Sequence, residues 1–290
     1  LKTRLDLALI ERGFFASRKE AQAALMDGAV LVNGQKVTKS GIAVSESDEI
    51  ALIPSFKKQK YVSRGGLKLE KGLQAFHLDV KDRICLDVGA STGGFTDCLL
   101  KSGASRVYAI DVGYGQLDWG LRNDARVVVK ERINARYLTA SELYAEGESR
   151  ASLAVIDCSF ISLSKILPAV KELLTPDDYE IIALVKPQFE AGKAAVKKGV
   201  VKDKRVHLSV LRQVEEFAVS IGIQVTQATY SPLKGPKGNI EYLLRLTQQL
   251  NSLSNEKIDF VSIVENALAE LNSKESSEDS SSEDSKIEDE

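Results

Sequence analysis

The sequence predicts a doubly wound α/β domain with a small α+β domain ahead of it, and three observations carry that prediction. From residue 84 onward, short apolar runs alternate with amphipathic stretches, the pattern of a largely parallel sheet covered by helices on both faces. The first of those runs, ICLDV at 84–88, opens into a glycine-rich loop, and a helix-like stretch follows from Phe95. Such a junction aims backbone N–H groups and a helix N-terminus at something small and polar. Upstream, the first ~55 residues hold two helix signatures and a tight hairpin, enough for a compact module of their own.

In LKTRLDLALIERG, Leu5, Leu7, Leu9 and Ile10 give a short helix that stops at Gly13. SRKEAQAALMDG begins with Ser17 as N-cap and Glu20 three residues on, a capping box. Gly28 ends that helix, since glycine takes the left-handed conformation without a Cβ penalty. AVLVNGQKVTKSG reads as a strand, an Asn33-Gly34 turn and a second strand, and DEIALI closes the module as another strand. PSFKKQKYVSRGG, with its proline, lysine cluster and Arg-Gly-Gly, is a linker. It separates a module at 1–56 from a larger domain at 65–250, the linker itself being 57–64.

In the larger domain, strands are predicted at 84–88, 106–111, 126–129, 152–157, 180–186, 223–230 and 240–246, with helices notably at 162–174 and 203–221. KIDFVSIVENALAEL places Ile258, Val261, Val264, Leu268 and Leu271 on one face, so 251–272 should carry an amphipathic helix docked on the domain. The Ser/Asp/Glu-rich stretch 273–290 cannot bury enough apolar surface to offset its ordering entropy and is expected to be disordered.

Composition narrows the function classes. Three cysteines, Cys85, Cys98 and Cys158, form no C-x-x-C pair and read as small core residues of a reducing compartment, without metal or disulfide roles. No apolar run approaches the ~18 residues of a membrane span, and the N-terminus shows no signal-peptide core. Leu1 places an initiator methionine outside this numbering, and the expectation is a cytoplasmic protein. The net charge of −2 hides an asymmetry: residues 273–290 carry eight acids against two lysines, while residues 1–66 carry eleven Lys/Arg against seven Asp/Glu. A basic N-terminal module suits a polyanionic partner.

The glycine loop excludes two ligand classes. A dinucleotide fingerprint wants G-x-G-x-x-G, and a P-loop wants Gly-Lys-Ser/Thr, whereas here Gly89-Ala90-Ser91-Thr92-Gly93-Gly94 is followed by Phe95. What remains, D-x-G-x-x-x-G-G-F from Asp87, suits a cationic, phosphate-poor ligand, and S-adenosylmethionine fits. Asp111 ends the next strand, 24 residues after Asp87, where a carboxylate accepts hydrogen bonds from two ribose hydroxyls. NAD sites do the same, so Asp111 marks an adenosine-type ribose rather than one cofactor. Glu131 and Asn134, in KERINAR, stand either at the adenine edge or as ordinary loop polars.

Open α/β sheets place their chemistry at the carboxyl ends of strands. Four charged residues stand at element ends: Lys68 ahead of the first strand, Asp157 closing AVID, Lys186 closing IIALVK, and Glu241 opening the last strand. A lysine ending an apolar run is either paired or kept neutral for a purpose, because burying a lone ammonium is costly. After Lys186 comes PQFEAGKAAVKKGVVKDKR, rich in glycine and lysine. It reads either as a mobile substrate loop offering Lys193, Lys197 and Lys198 to the phosphates of a polyanion or as a solvated loop.

Two resemblances attach to these residues. RLDLALIERGFFASRKEAQAALMDGAVLVNGQKV resembles the small RNA-binding domain named after ribosomal protein S-four, and the likeness covers nearly all of residues 3–53. It implies RNA contacts by Arg4, Arg18, Lys19, Lys36 and Lys39, to which Arg64 at the linker end is added. VSRGGLKLEKGL, LDVGASTGGFTDCLL, DVGYGQLDW, DCSFISL, LVKPQFE and GNIEYLL resemble the TlyA family. These are ribosomal RNA 2′-O-methyltransferases with an FtsJ (RrmJ)-type catalytic domain, historically labelled haemolysins. The resemblance implies a Rossmann-like S-adenosylmethionine-dependent methyltransferase sheet and a Lys-Asp-Lys-Glu tetrad, which maps onto Lys68, Asp157, Lys186 and Glu241. In that setting Lys186 accepts or directs the proton of a ribose 2′-hydroxyl. To act as base near neutrality its pKa must fall from ~10.4 towards 7–8, with Lys68 pushing it down and the two carboxylates pulling it up. Holding nucleophile and methyl in near-attack geometry removes barrier whichever way the proton goes.

The implied reaction is 2′-O-methylation of a cytidine ribose in 16S and/or 23S ribosomal RNA. The N-terminal module grips RNA by phosphate and shape while the larger domain flips one nucleotide. The expected partners are ribosomal RNA or ribosomal subunits, with no metal and no membrane, and a monomer is favoured. Two other readings compete: a membrane-acting haemolysin, and a non-catalytic RNA-binding assembly factor with a vestigial cofactor site.

Overall fold

The computed structural model describes residues 2–15, 17–26, 28–54, 56, 60–248 and 257–283, without the side chains of Lys19, Lys193 and residues 274–283. The chain divides into two compact units, Leu1–Lys58 and Gln59–Glu290.

The first unit runs β1 (Lys2–Arg4), α1 (Leu5–Glu11), α2 (Arg18–Met26), β2 (Val30–Val32), β3 (Gln35–Val37), β4 (Ala43–Ser45) and β5 (Ile50–Leu52). Local chemistry sets each boundary. The Ser17 hydroxyl accepts from the Glu20 amide at 3.2 Å, and Gly28 leaves α2 with φ 64°. Asn33 and Gly34 both hold positive φ, 51° and 77°, the twist that a two-residue hairpin between β2 and β3 needs. The β2 strand pairs with β3 and β5, and Leu5, Leu9, Leu25 and Val30 fill the core beneath. Leu7, expected on the apolar face of α1, is 37% exposed, and Ala8 packs inward in its place. The β1–β4 pair was not expected: Lys-Thr-Arg has no apolar alternation, and only its backbone pairing with Ala43–Ser45 makes it a strand.

The second unit opens with α3 (Gly65–Ala75), β6 (Ile84–Val88), α4 (Gly94–Lys101), β7 (Arg106–Ile110), α5 (Trp119–Arg122) and β8 (Val127–Lys130). It continues through α6 (Ala140–Leu143), β9 (Leu153–Ile156), α7 (Leu163–Leu173), β10 (Glu180–Val185), α8 (Pro187–Glu190) and α9 (Lys204–Ser220). It ends with β11 (Ile223–Tyr230), β12 (Tyr242–Gln248) and α10 (Phe260–Glu283). The seven strands order as β11-β12-β10-β9-β6-β7-β8. The pairs among β6 to β10 are parallel, and β12 runs antiparallel to both of its neighbours, so the sheet is mixed. Strand order reverses between β6 and β9, the switch point at which open sheets leave a crevice. Alternation along the strands builds two cores. Leu86, Tyr108 and Ile156 face α7, α9 and α10, while Cys85, Val107 and Val155 face α3, α4 and α5.

The α10 helix docks through Phe260, Val264, Ala267 and Leu271, with Ile258 and Leu268 partly buried against the same core. Val261, expected on that face, is 39% exposed. The helix also continues to Glu283, past residue 273 where disorder was expected, and residues 284–290 lie outside the described residues. Cys85 and Cys98 are buried and Cys158 half-buried, all free, and burial pushes the Cys85 and Cys158 thiols up to about 12. Among the described residues no helix is long and apolar enough to cross a membrane.

Candidate functional site

The glycine loop crosses the switch point. Gly89 has φ 90°, and a Cβ there would stand 2.7 Å from the Asp157 carbonyl oxygen, so the loop lies against the end of β9 with no room for a side chain. Gly94 brings two helix starts together: a Cβ on it would strike the Ser63 hydroxyl and lie 2.9 Å from the Gly66 amide nitrogen. Thus α3 and α4 begin side by side, and neither carries a side-chain cap. Between them and the ends of β9 and β10 is a cleft of about 270 Å³, with Arg64, Lys68, Ser91, Asp157, Ser159 and Lys186 among its lining.

The four charged residues form two pairs. Lys68, near the start of α3, places Nζ 2.5 Å from Glu241 Oε2, and the two residues are 9% and 1% exposed. Lys186 places Nζ 2.5 Å from Asp157 Oδ1 and donates to the Ser159 hydroxyl at 2.9 Å. The Asp157 contact is a close ion pair without hydrogen-bond alignment, since Oδ1 has no hydrogen-bond partner among the described residues. Pairing makes this burial tolerable, because an ammonium without its carboxylate would carry the full desolvation cost. Lys68, Asp157 and Lys186 line the cleft, while Glu241 is held behind Lys68, with Gly235 so close that a Cβ would lie 2.5 Å from Glu241 Oε1. Ser159 was missed in the sequence, where it is one small polar in DCSF with nothing to mark it.

Asp87 is not on the cleft wall. It is fully buried beneath the loop, Thr96 Oγ1 donates to its Oδ2 at 2.6 Å, and Oδ1 has no partner among the described residues. Burial pushes its carboxyl up to about 7, against the Thr96 hydrogen bond and with help from the nearby Asp157 charge. The folded state therefore holds a proton that the unfolded chain releases near pH 3.8. This contribution to stability is complete below about pH 4 and is lost as pH rises to about 7, on the order of 4 kcal/mol at most. Asp87→Asn is expected to flatten that dependence: equal stability near pH 4, and a variant several kcal/mol more stable by pH 8, read from urea unfolding across that range. Parallel curves for the two proteins would show that Asp87 ionises normally.

Asp111 accepts from the Ser91 and Gly113 amides at 2.8 and 2.6 Å, so it ties the glycine loop to the end of β7. Glu131 accepts from Arg122 at 2.5 Å and from the Gly115 amide at 3.0 Å, and the Arg122 guanidinium holds it below the usual carboxylate range. Asn134 is exposed and accepts from the Arg136 amide at 3.1 Å, a local turn. These three stand apart from the cleft lining, as loop-organising groups. Ala90, Ser91, Thr92, Gly94 and Phe95 do line it, while Gly93 with φ 94° caps α4 beneath Leu121. Of the basic residues expected on RNA, Arg64 lines the cleft, and Lys36, Lys39, Lys197 and Lys198 are exposed. Lys36 lies over Gly28 in the first unit, where Arg4 and Arg18 both bond to Asp6. The Lys19 and Lys193 side chains are outside the described residues.

A seven-stranded sheet with a single antiparallel strand, and a glycine loop at its switch point beside paired amines and carboxylates, defines a Rossmann-like methyltransferase. Comparison with known proteins makes this particular: residues 61–248 match the FtsJ-like methyltransferase model and residues 3–50 the S4 domain. The chain belongs to the FtsJ-like methyltransferase family, in its TlyA branch, and such enzymes draw their methyl group from S-adenosylmethionine. It is 43% identical over 257 residues to the 16S/23S rRNA (cytidine-2′-O)-methyltransferase TlyA of Mycobacterium tuberculosis, covering 88% of this chain and 94% of that one. YqxC of Bacillus subtilis, provisionally named an rRNA methyltransferase, is 48% identical over 84% of this chain and 85% of its own length. A solved structure from Streptococcus thermophilus, provisionally named a haemolysin, is 41% identical with a TM-score of 0.71, over 95% of this chain and 98% of that one.

Proposed function

We propose that this chain transfers a methyl group from S-adenosylmethionine to the ribose 2′-oxygen of a cytidine in 16S and/or 23S ribosomal RNA, in the cytoplasm where ribosomes are assembled. The observation that carries the reading is the pair of lysine–carboxylate couples, Lys68–Glu241 and Lys186–Asp157, at the mouth of the switch-point cleft. The names of the relatives agree with it.

The chain offers what such a cofactor needs. Gly89 and Gly94 let the loop pack against the end of β9 and the start of α3. Gly89 to Phe95, Gly93 apart, line the cleft beside the Asp157 carboxylate, a setting of backbone groups and negative charge that suits a ligand bearing an ammonium and a sulfonium. The Gly89–Phe95 loop would hold the amino-acid end, with Asp87 bracing it from beneath through Thr96, Asp111 beside the ribose, and Glu131 and Asn134 towards the adenine. When bound, S-adenosylmethionine supplies an electrophilic methyl on a positively charged sulfur. The remaining work falls to the protein. Lys186, fixed by Asp157 and Ser159, orients the 2′-hydroxyl, and the Lys186–Asp157 couple takes its proton as a unit. Lys68 adds a second amine to the cleft lining, and Glu241 behind it balances that charge. Phe160, one residue beyond Ser159, is 90% exposed, and its ring is 5.0 Å from that of Phe189, an aromatic surface on which an unstacked base can lie. Arg64, Lys193, Lys197 and Lys198 would meet RNA phosphates around the cleft.

Tritiated methyl transfer to separated 30S and 50S subunits tests this directly. Incorporation into RNA of one or both subunits is expected, and label found only in protein would contradict it. The paired lysines and carboxylates of the cleft favour group transfer over the haemolysin reading that the names of some relatives carry.

A further inference from the structure

We propose that Asp6 is a positioning residue, which holds Arg4 and Arg18 together as one preformed two-guanidinium face for RNA phosphates. This rests on the reading that the first unit binds RNA. The Asp6 side chain is wholly buried at the start of α1, while the Arg4 and Arg18 side chains are 48% and 51% exposed. Arg4 straddles the carboxylate, its Nε donating to Oδ1 at 3.1 Å and its Nη2 to Oδ2 at 3.2 Å. Arg18 Nε and Gln22 Nε2, both from α2, donate to Oδ2 at 2.8 and 2.9 Å. One carboxylate therefore gathers donors from the end of β1 and from α2, and fixes two cations that would otherwise repel one another.

Each guanidinium has five N–H donors, more than Asp6 takes from either, and its half-exposed edge suits the bidentate grip of a phosphate. A side chain already immobilised loses less entropy on binding than a free one. The Arg4 hydrogen bond, above all, holds the Asp6 carboxyl well below the usual carboxylate range, against the opposing effect of its burial.

Asp6→Asn separates this role from bulk electrostatics, because the two predict opposite signs. Removing a negative charge should tighten binding to a polyanion if charge alone matters. If Asp6 positions the arginines, binding of the full-length protein to 30S or 50S subunits weakens by about tenfold at fixed salt. In an Arg4→Ala/Arg18→Ala background the same substitution has no further effect, which a general loss of fold would not reproduce. Amide hydrogen exchange over α1 and α2 identifies the temperature at which the variant's first unit is folded, and binding is compared there. Arg18→Lys, at unchanged charge, also weakens binding with an unaltered salt slope. Binding as tight as wild type in the folded Asp6→Asn protein, or an equal loss in the arginine-free background, overturns the proposal. Wild-type protein that fails to bind either subunit overturns the RNA reading itself.

Discussion

Lys186→Ala is expected to lower the methyl-transfer rate by about 10²–10⁴-fold, the range for losing a positioned proton-transfer group. Affinity for the cofactor should be nearly unchanged, because Lys186 acts on the incoming hydroxyl and its gain is realised only in the transition state. Its amine is 2.5 Å from Asp157 and 2.9 Å from Ser159, so it is held rather than free to search. Lys186→Arg should fail to rescue: guanidinium is always charged, cannot take a proton, and presents a broad plane where one compact nitrogen stands. Single-turnover rates with saturating cofactor read the chemical step, and titration with S-adenosylhomocysteine reads the pocket. A rate within a few-fold of wild type would remove Lys186 from the reaction. A parallel loss of cofactor affinity would make it a cofactor ligand instead.

Gly89→Ala should damage fold and site together. The position demands φ 90°, and the added methyl would meet Asp157 backbone, with oxygen at 2.7 Å and carbon at 3.0 Å. Backbone strain of this kind costs about 1–3 kcal/mol, and here the neighbour forced to move is the residue that pairs with Lys186. A fall in Tm of several degrees is expected, at about 2–4 °C per kcal/mol, together with loss of cofactor binding and of transfer. Gly147→Ala is the matched control: φ is 78°, but nothing lies within 4 Å of the added Cβ. It should carry the conformational cost alone, with activity retained. Equal behaviour of the two variants would show that close approach to Asp157 is unimportant.

Much of this was legible in the sequence because it depends on local rules. Apolar runs marked every strand of the main sheet to within two residues. Residues closing or opening those runs named Asp157, Lys186 and Glu241, whereas Lys68 lies ahead of the first run, within α3. Pairing was not legible: Lys68 and Glu241 lie 173 residues apart, and only the sheet order brings α3 against β12. Asp87 shows a different limit. It shares the strand parity of Cys85, and so turns toward α4 and Thr96 beneath the loop, not outward into the cleft. In α10, the periods through Val264 and Leu271 allow either Val261 or Phe260 and Ala267 on the buried face, and packing selects the latter. Lys2–Arg4 became a strand through backbone pairing alone, which residue types do not announce.

The most direct measurement is nucleoside analysis of ribosomal RNA labelled by the purified enzyme. Radioactivity is expected in 2′-O-methylcytidine, with the adjoining phosphodiester resistant to alkali and no such product from Lys186→Ala. Label on a base, or on a ribose whose linkage still hydrolyses, would contradict the proposed 2′-O-methylation.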